Sequence, residues 1–172
     1  MLLDDEPNVL QALQRALRQC FPAGELTVET FTDPERALLR CGEMGFDVVV
    51  SDCRMPGING IDFLRMVKGI QPDAIRVVLS ASTEFETVMQ AVNQAEVFRY
   101  IPKPWQSEEL VDTLQLAFAR HDEVAEERRL AEGQRQKSPE LSPQELEAQK
   151  LEAEEPGITK VNWGPDGSVR LD

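Results

Sequence analysis

The stretch VVVSDCRMPGING, residues 48 to 60, decides the fold of this chain. It begins as an apolar run that is typical of a strand buried in a parallel sheet, and the run ends abruptly at Asp52. Pro56, Gly57 and Gly60 then predict a loop. An acid at the carboxyl end of such a strand lies where open α/β sheets bind their ligands.

Strands and helices are predicted to alternate along the chain on both sides of this stretch. The predicted strands are Met1–Leu3, Leu26–Phe31, the run that ends at Asp52, Ile75–Leu79 and Val97–Ile101. The predicted helices begin at Pro7, Pro34, Ile61, Glu84 and Ser107, and the fourth of them spans Glu84–Gln94. Five strands that alternate with five helices indicate a doubly wound α/β fold. We expect a five-stranded parallel sheet in the flavodoxin-like order 2-1-3-4-5, with helices on both faces.

The length of 172 residues suits one domain with an appendage, since domains usually have about 100–150 residues. We expect the α/β domain over residues 1–120, an extension of its last helix over 121–137, and an acidic tail over 138–172. In the tail, residues 142–155 are predicted to form a short helix. The segments ITKVNW and SVRL, on either side of GPDG, are predicted to form a small hairpin.

The composition argues against several classes of protein. The formal charge of -13, from 18 basic and 31 acidic residues, and the lack of a basic stripe argue against binding of nucleic acid by this chain. Three cysteines, an odd number, favour a reducing compartment. No apolar run approaches the roughly 18 residues that a membrane span needs, so we expect a cytoplasmic protein with no membrane contact.

Charged and hydroxyl side chains follow the predicted strands at one edge of the sheet. Asp4 and Asp5 follow the first strand and Asp52 ends the third, and these two strands are neighbours in the expected order. Three converging carboxylates repel one another unless a cation neutralises them, and an all-oxygen site suits Mg²⁺. Ser80 and Lys103 end the fourth and fifth strands, where they can bind phosphoryl oxygens. Asp52 is then the predicted nucleophile, which forms an aspartyl phosphate.

This set of residues resembles the receiver domains of response regulators in two-component signalling. The resemblance covers residues 1–120 and rests on DDE at 4–6, MPGING after Asp52, LSAS around Ser80 and RYIPKPW around Lys103. It implies that a sensor histidine kinase or a phosphotransfer protein phosphorylates Asp52. It also implies that the phosphorylated domain signals to a downstream protein partner, which the sequence does not name.

The resemblance implies a role for each residue of the site. Asp5 and Asp52 would ligate Mg²⁺ together with the backbone carbonyl of Arg54, and Asp4 would act through water.

The same resemblance assigns the phosphoryl oxygens to Ser80 and Lys103. It implies that Ser80 moves toward the phosphoryl group while Tyr100 turns inward as a rotameric switch. It also implies that the bond from Lys103 to Pro104 is cis.

The sequence around Trp105 most resembles that of receivers attached to HD-GYP phosphodiesterases or to hydrogenase-type regulators. Residues 121–172 contain no HD and GYP pair, no GGDEF motif and no helix-turn-helix pattern. Only three residues precede Asp4, fewer than a receiver's first strand normally has, so we expect residues before Met1 to be missing from this sequence.

Two other functions remain open from the sequence. A constitutive scaffold could dimerise through the face formed by the fourth helix, fifth strand and fifth helix, or through a coiled coil of Leu114, His121 and Val124. A metal-dependent phosphatase or phosphotransferase could use Asp52 on small molecules. Such enzymes typically need a second acid two residues after the nucleophile, and that position is Arg54.

Overall fold

A computed structural model of the chain describes residues 1–81, 95–137, 153, 162–163 and 169–170. The central sheet consists of β1 (Leu2–Leu3), β2 (Thr30–Phe31), β3 (Val48–Asp52), β4 (Ile75–Ala81) and β5 (Arg99–Lys103). All neighbouring strands are parallel, and their order is β2-β1-β3-β4-β5. The predicted doubly wound sheet is thereby confirmed.

Four helices have described bounds: α1 (Pro7–Cys20), α2 (Pro34–Glu43), α3 (Gly60–Ile70) and a helix over Ser107–Lys137, called the long helix below. The predicted helix Glu84–Gln94 lies outside the described residues, as does the predicted helix of the tail apart from Ala153.

The starts of α2 and α3 follow from side chains that cap them. The Asp33 side chain accepts a hydrogen bond from the Glu35 amide at 2.9 Å, with Pro34 at the first helical position. The Asn59 side chain accepts one from the Ile61 amide, also at 2.9 Å. Each cap satisfies a backbone donor that the first helical turn leaves without a partner.

Two strands differ from their predicted bounds because of their partners. Strand β2 is confined to Thr30–Phe31, shorter than the predicted Leu26–Phe31, since β1 offers it only two residues for pairing. Strand β5 begins at Arg99, two residues later than predicted, where its pairing with Val77 starts. Strand β4 continues two residues beyond Leu79, so its carboxyl end faces Lys103.

Apolar side chains cover both faces of the sheet. On one face α3 buries Phe63, Leu64 and Val67. On the other face α1 and the long helix bury their apolar stripes against β3 and β4. Leu114 belongs to that core at 3% exposure, so the suggested coiled-coil seam through Leu114 is wrong for this residue. Cys20, the last residue of α1, is exposed.

The chain divides into two compact units, Met1–Arg129 and Leu130–Asp172. The first unit contains the sheet, and the second contains β6 (Asn162–Trp163) paired antiparallel with β7 (Val169–Arg170). Within the described ranges, each helix is too short or too polar to cross a membrane.

Candidate functional site

The carboxyl edge of the sheet brings together charged residues from three strands. Asp4 directly follows β1, Asp52 is the last residue of β3, and Lys103 is the last residue of β5. In the register of the sheet Asp52 pairs with Leu79, and Lys103 pairs with Ala81. The parallel arrangement therefore directs these chain ends to one crevice.

Lys103 bridges two buried carboxylates in this crevice. Its Nζ lies 2.7 Å from Oδ2 of Asp4 and 2.5 Å from Oδ1 of Asp52. Asp4 is 0% exposed and Asp52 is 6% exposed. Burying a carboxylate without a partner costs desolvation free energy. The single ammonium of Lys103 offsets this cost for both Asp4 and Asp52.

The protonation of Lys103 follows from these contacts. Burial opposes the charged ammonium, but the hydrogen bonds and attraction from Asp4 and Asp52 outweigh it, so the pKa of Lys103 is raised above its usual value. Lys103 is therefore a permanent cation at neutral pH.

Backbone amides hold the second oxygen of each carboxylate. The Glu6 amide donates to Oδ1 of Asp4, and the Arg54 amide donates to Oδ2 of Asp52, both at 2.9 Å. Each acid is thus fixed by one amide and by the shared ammonium of Lys103. This arrangement orients the Asp52 carboxylate before any ligand binds.

The loop after Asp52 depends on a close approach at Gly60. A Cβ atom at this position would overlap the carbonyl oxygen of Asp52 and lie 3.1 Å from the Cα atom of Cys53. The Gly60 amide donates to the Cys53 carbonyl at 2.9 Å. Gly60 was predicted as a loop residue, but it is the first residue of α3, and its lack of a side chain lets the helix begin against β3.

The Cys53 thiol, next to Asp52, is unsuited to redox chemistry. It is 2% exposed, and burial together with the nearby Asp52 carboxylate raises its pKa. A thiol with a raised pKa forms little of the reactive thiolate.

The remaining predicted residues lie around this charged cluster. Ser80 is buried near the end of β4, and its Oγ donates to the Ala81 carbonyl at 3.2 Å. Tyr100 on β5 is 48% exposed, so it faces outward here. Asp5 is half-buried beside Asp4. The bond from Lys103 to Pro104 is cis.

The donor set of the crevice fits Mg²⁺. Asp4 and Asp52 place two negative charges against the single positive charge of Lys103, and Asp5 is the residue that follows Asp4 in the chain. In the described part of the chain, no three His, Cys, Asp or Glu side chains are grouped closely enough to hold a metal alone. Mg²⁺ does not need such a group, because it takes one or two carboxylates and keeps several waters.

Sequence reasoning missed three contributions to the site. These are the close approach of Gly60 to the Asp52 carbonyl, the hydrogen bond from the Arg54 amide to Asp52, and the hydrogen bond from Lys103 to Asp4. The first carried a signal, since a glycine directly after the capping residue Asn59 sits at a helix start. Backbone amides and partners 99 residues apart leave no signal in the sequence pattern.

Comparisons with known proteins agree on one family. The sequence profile of the response regulator receiver domain matches residues 1–115. The hydrogenase transcriptional regulatory protein HoxA of Bradyrhizobium diazoefficiens is 37% identical over 117 residues, which are 68% of this chain and 23% of that protein. The DNA-binding transcriptional regulator NtrC of Salmonella typhimurium is 28% identical over 75% of this chain and 26% of its own length. The chain thus spans about a quarter of the length of these curated relatives.

Solved structures of receiver domains superpose on the chain. The signal receiver domain of an HD domain-containing protein from Pseudomonas fluorescens Pf-5 has a TM-score of 0.67 and 27% identity, over 73% of this chain and 89% of that one. The beryllofluoride-activated receiver domain of DrrB has a TM-score of 0.59 and 27% identity, over 69% of this chain and 94% of that one.

Proposed function

Because this chain belongs to the response regulator receiver domain family, whose members are phosphorylation-controlled signalling modules, we propose that Asp52 is its phosphoryl acceptor. One observation carries the proposal: Asp52 is a buried carboxylate at the end of β3, fixed by the Arg54 amide and bridged through Lys103 to Asp4. A purely structural acid would not need a second buried acid beside it.

In the transfer step, an oxygen of Asp52 attacks the phosphorus of a phosphohistidine on a kinase or phosphotransfer protein. The phosphorus–oxygen bond forms as the phosphorus–nitrogen bond to the donor imidazole breaks, and the imidazole leaves with a proton from solvent. Lys103 turns from the free carboxylate to the phosphoryl oxygens, whose negative charge it offsets. The domain itself supplies this chemistry to its own Asp52, and it also supports later hydrolysis of the aspartyl phosphate.

The metal site of the proposal consists of Asp5, Asp52 and the backbone carbonyl of Arg54, with Asp4 acting through water. Mg²⁺ held there would neutralise phosphoryl oxygens during the transfer. The support is the excess of carboxylate over ammonium charge in the crevice.

The proposed response involves Ser80 and Tyr100. Ser80 would exchange its bond to the Ala81 carbonyl for one to the phosphoryl group, and Tyr100 would turn inward from its exposed position. A contact that exists in only one state shifts the population toward that state. The changed surface would then bind a downstream protein, and a histidine kinase would supply the signal.

The proposal is tested with a small phosphodonor and Mg²⁺. The intact protein is incubated with acetyl phosphate and MgCl₂, and phosphorylation is followed by mass spectrometry and a phosphate-affinity gel. We expect one phosphoryl group per chain that hydroxylamine removes, as it does from an acyl phosphate, and that is absent from Asp52→Asn and without MgCl₂. Asp62→Asn is the matched control, because Asp62 is a partly exposed acid on α3 that pairs with Arg65. Equal labelling of Asp52→Asn would overturn the assignment.

A further inference from the structure

The long helix continues for several turns after its last core residues. Leu110, Leu114 and Ala117 are buried against the sheet. The same face of the helix, followed at helical spacing, then carries His121, Val124 and Arg128. Of these, His121 and Val124 are still half-buried.

Two acids from the amino edge of the sheet contact this face. Nε2 of His121 lies 3.6 Å from Oδ1 of Asp47, the residue before β3. Nη1 of Arg128 donates a hydrogen bond to Oδ2 of Asp73, in the turn before β4. Both acids are therefore at the opposite end of the sheet from Asp52.

We propose that residues 121–129 form a docking arm, whose partner is the amino edge of this chain's own sheet. Asp47 and Asp73 hold the stripe of His121, Val124 and Arg128 in place. The stripe is occupied within one chain, so a second copy has no access to it while the arm is docked. The arm links the long helix to the turns before β3 and β4, and this inference does not depend on phosphorylation.

The contacts of the arm are suited to reversible docking. The side chains of Arg128 and Asp73 are 58% and 34% exposed, and that of Asp47 is 66% exposed. Ion pairs with this exposure change an equilibrium by about fivefold or less. The neighbouring pair of Arg129 with Glu126 stays within the helix and does not contact the sheet edge.

Amide hydrogen exchange of the arm in the full, unphosphorylated chain tests the proposal. Arg128→Glu places an acid opposite Asp73, and we expect backbone exchange over residues 121–129 to become several-fold faster. Asp73→Arg should have the same effect, and the double variant Arg128→Glu with Asp73→Arg should restore slow exchange. Arg129→Glu is the matched control: it loses only the pair with Glu126 inside the helix, so its exchange should rise much less than that of Arg128→Glu.

Other outcomes would reject the docking arm. Exchange at the unmodified rate in Arg128→Glu, or a double variant as fast as either single one, would overturn it. Protection that rises with protein concentration and ignores Asp73→Arg would assign the stripe to a second copy instead. If Asp73→Arg does not fold, Asp73→Asn provides the same test, with a smaller expected acceleration.

Discussion

Both edges of the sheet carry acids, after β1 and at the end of β3 on one edge and before β3 and β4 on the other, but these acids differ in burial. At the carboxyl edge, Asp4 and Asp52 are buried and share the ammonium of Lys103. At the amino edge, Asp47 and Asp73 lie on connecting turns and contact the long helix from more exposed positions. Burial strengthens electrostatic interactions and makes each unpaired charge costly. The same residue types therefore form a buried charge cluster at one edge and more exposed ion pairs at the other.

Removing a lysine from each edge should give the largest contrast. Lys103→Met leaves two buried acids without their cation, and we expect a loss of about 3 kcal/mol in the free energy of unfolding. Lys68→Met, which removes a more exposed partner of Glu96, should cost less than about 1 kcal/mol. Urea denaturation of both variants measures the difference, and equal losses would show that burial does not distinguish the two edges.

The contribution of Lys103 has a defined pH dependence. Its pKa in the folded protein is raised above its usual value, so the ammonium stays charged and the ion pairs keep their full contribution from neutral pH up to that usual value. Above it, the contribution is lost as the pH rises through the raised pKa. The deficit of Lys103→Met should therefore be constant from neutral pH to about pH 9.

Two glycines of α3 provide the next contrast, since the helix begins at the carboxyl edge and ends near the amino edge. Gly60→Ala forces a methyl group onto the Asp52 carbonyl, and we expect a loss of about 2 kcal/mol and weaker phosphorylation. Gly69→Ala meets no atom within 4 Å and should stabilise the protein by up to about 1 kcal/mol. Thermal unfolding of both variants distinguishes these signs. A stable Gly60→Ala protein would mean that α3 can move away from β3.

One glutamine at the amino edge makes three hydrogen bonds to the backbone. Its replacement should have a smaller effect on stability than that of Gly60. The Gln71 amide nitrogen donates to the carbonyls of Cys41 and Met44, and its oxygen accepts from the Phe46 amide. Gln71→Ala removes all three bonds and should cost about 1.5 kcal/mol, because the site is partly exposed. Gln11→Ala, at an exposed position of α1, should leave the free energy of unfolding from urea denaturation unchanged within about 0.5 kcal/mol.

Cysteine reactivity should distinguish the two edges without changing stability. Cys20, at the end of α1, is exposed, whereas Cys53 is buried beside Asp52 and has a raised pKa. Alkylation by iodoacetamide at mildly basic pH should modify Cys20 first and leave Cys53 intact in the folded protein. Peptide mapping measures both, and rapid loss of the Cys53 thiol would mean that the carboxyl edge opens readily.

The sheet order and the charged crevice could be predicted because they follow from local patterns. An apolar run ending at Asp52 and helices that alternate with strands permit few topologies. The bounds of β2 and β5 could not be predicted, since they depend on which residues the neighbouring strands offer for pairing.

Contacts between distant residues were the least predictable part. The stripe of Leu114, His121 and Val124 has the spacing of a coiled-coil seam, and the same spacing suits a helix face that packs on a sheet. Only the positions of the sheet and of Asp73 decide between the two. The hydrogen bonds of Gln71 were missed for the same reason, since polar side chains at helix ends are usually solvated.

Tyr100 is the only tyrosine in the chain, and 48% of its surface is open to solvent. Fluorotyrosine incorporated biosynthetically would therefore give a single ¹⁹F resonance, with no need for assignment by mutagenesis. The chemical shift of this resonance depends on the surroundings of the ring. It therefore differs between an exposed ring and a ring that has turned inward. The chain thus offers one labelling position on β5, three residues before Lys103, without any change to its sequence.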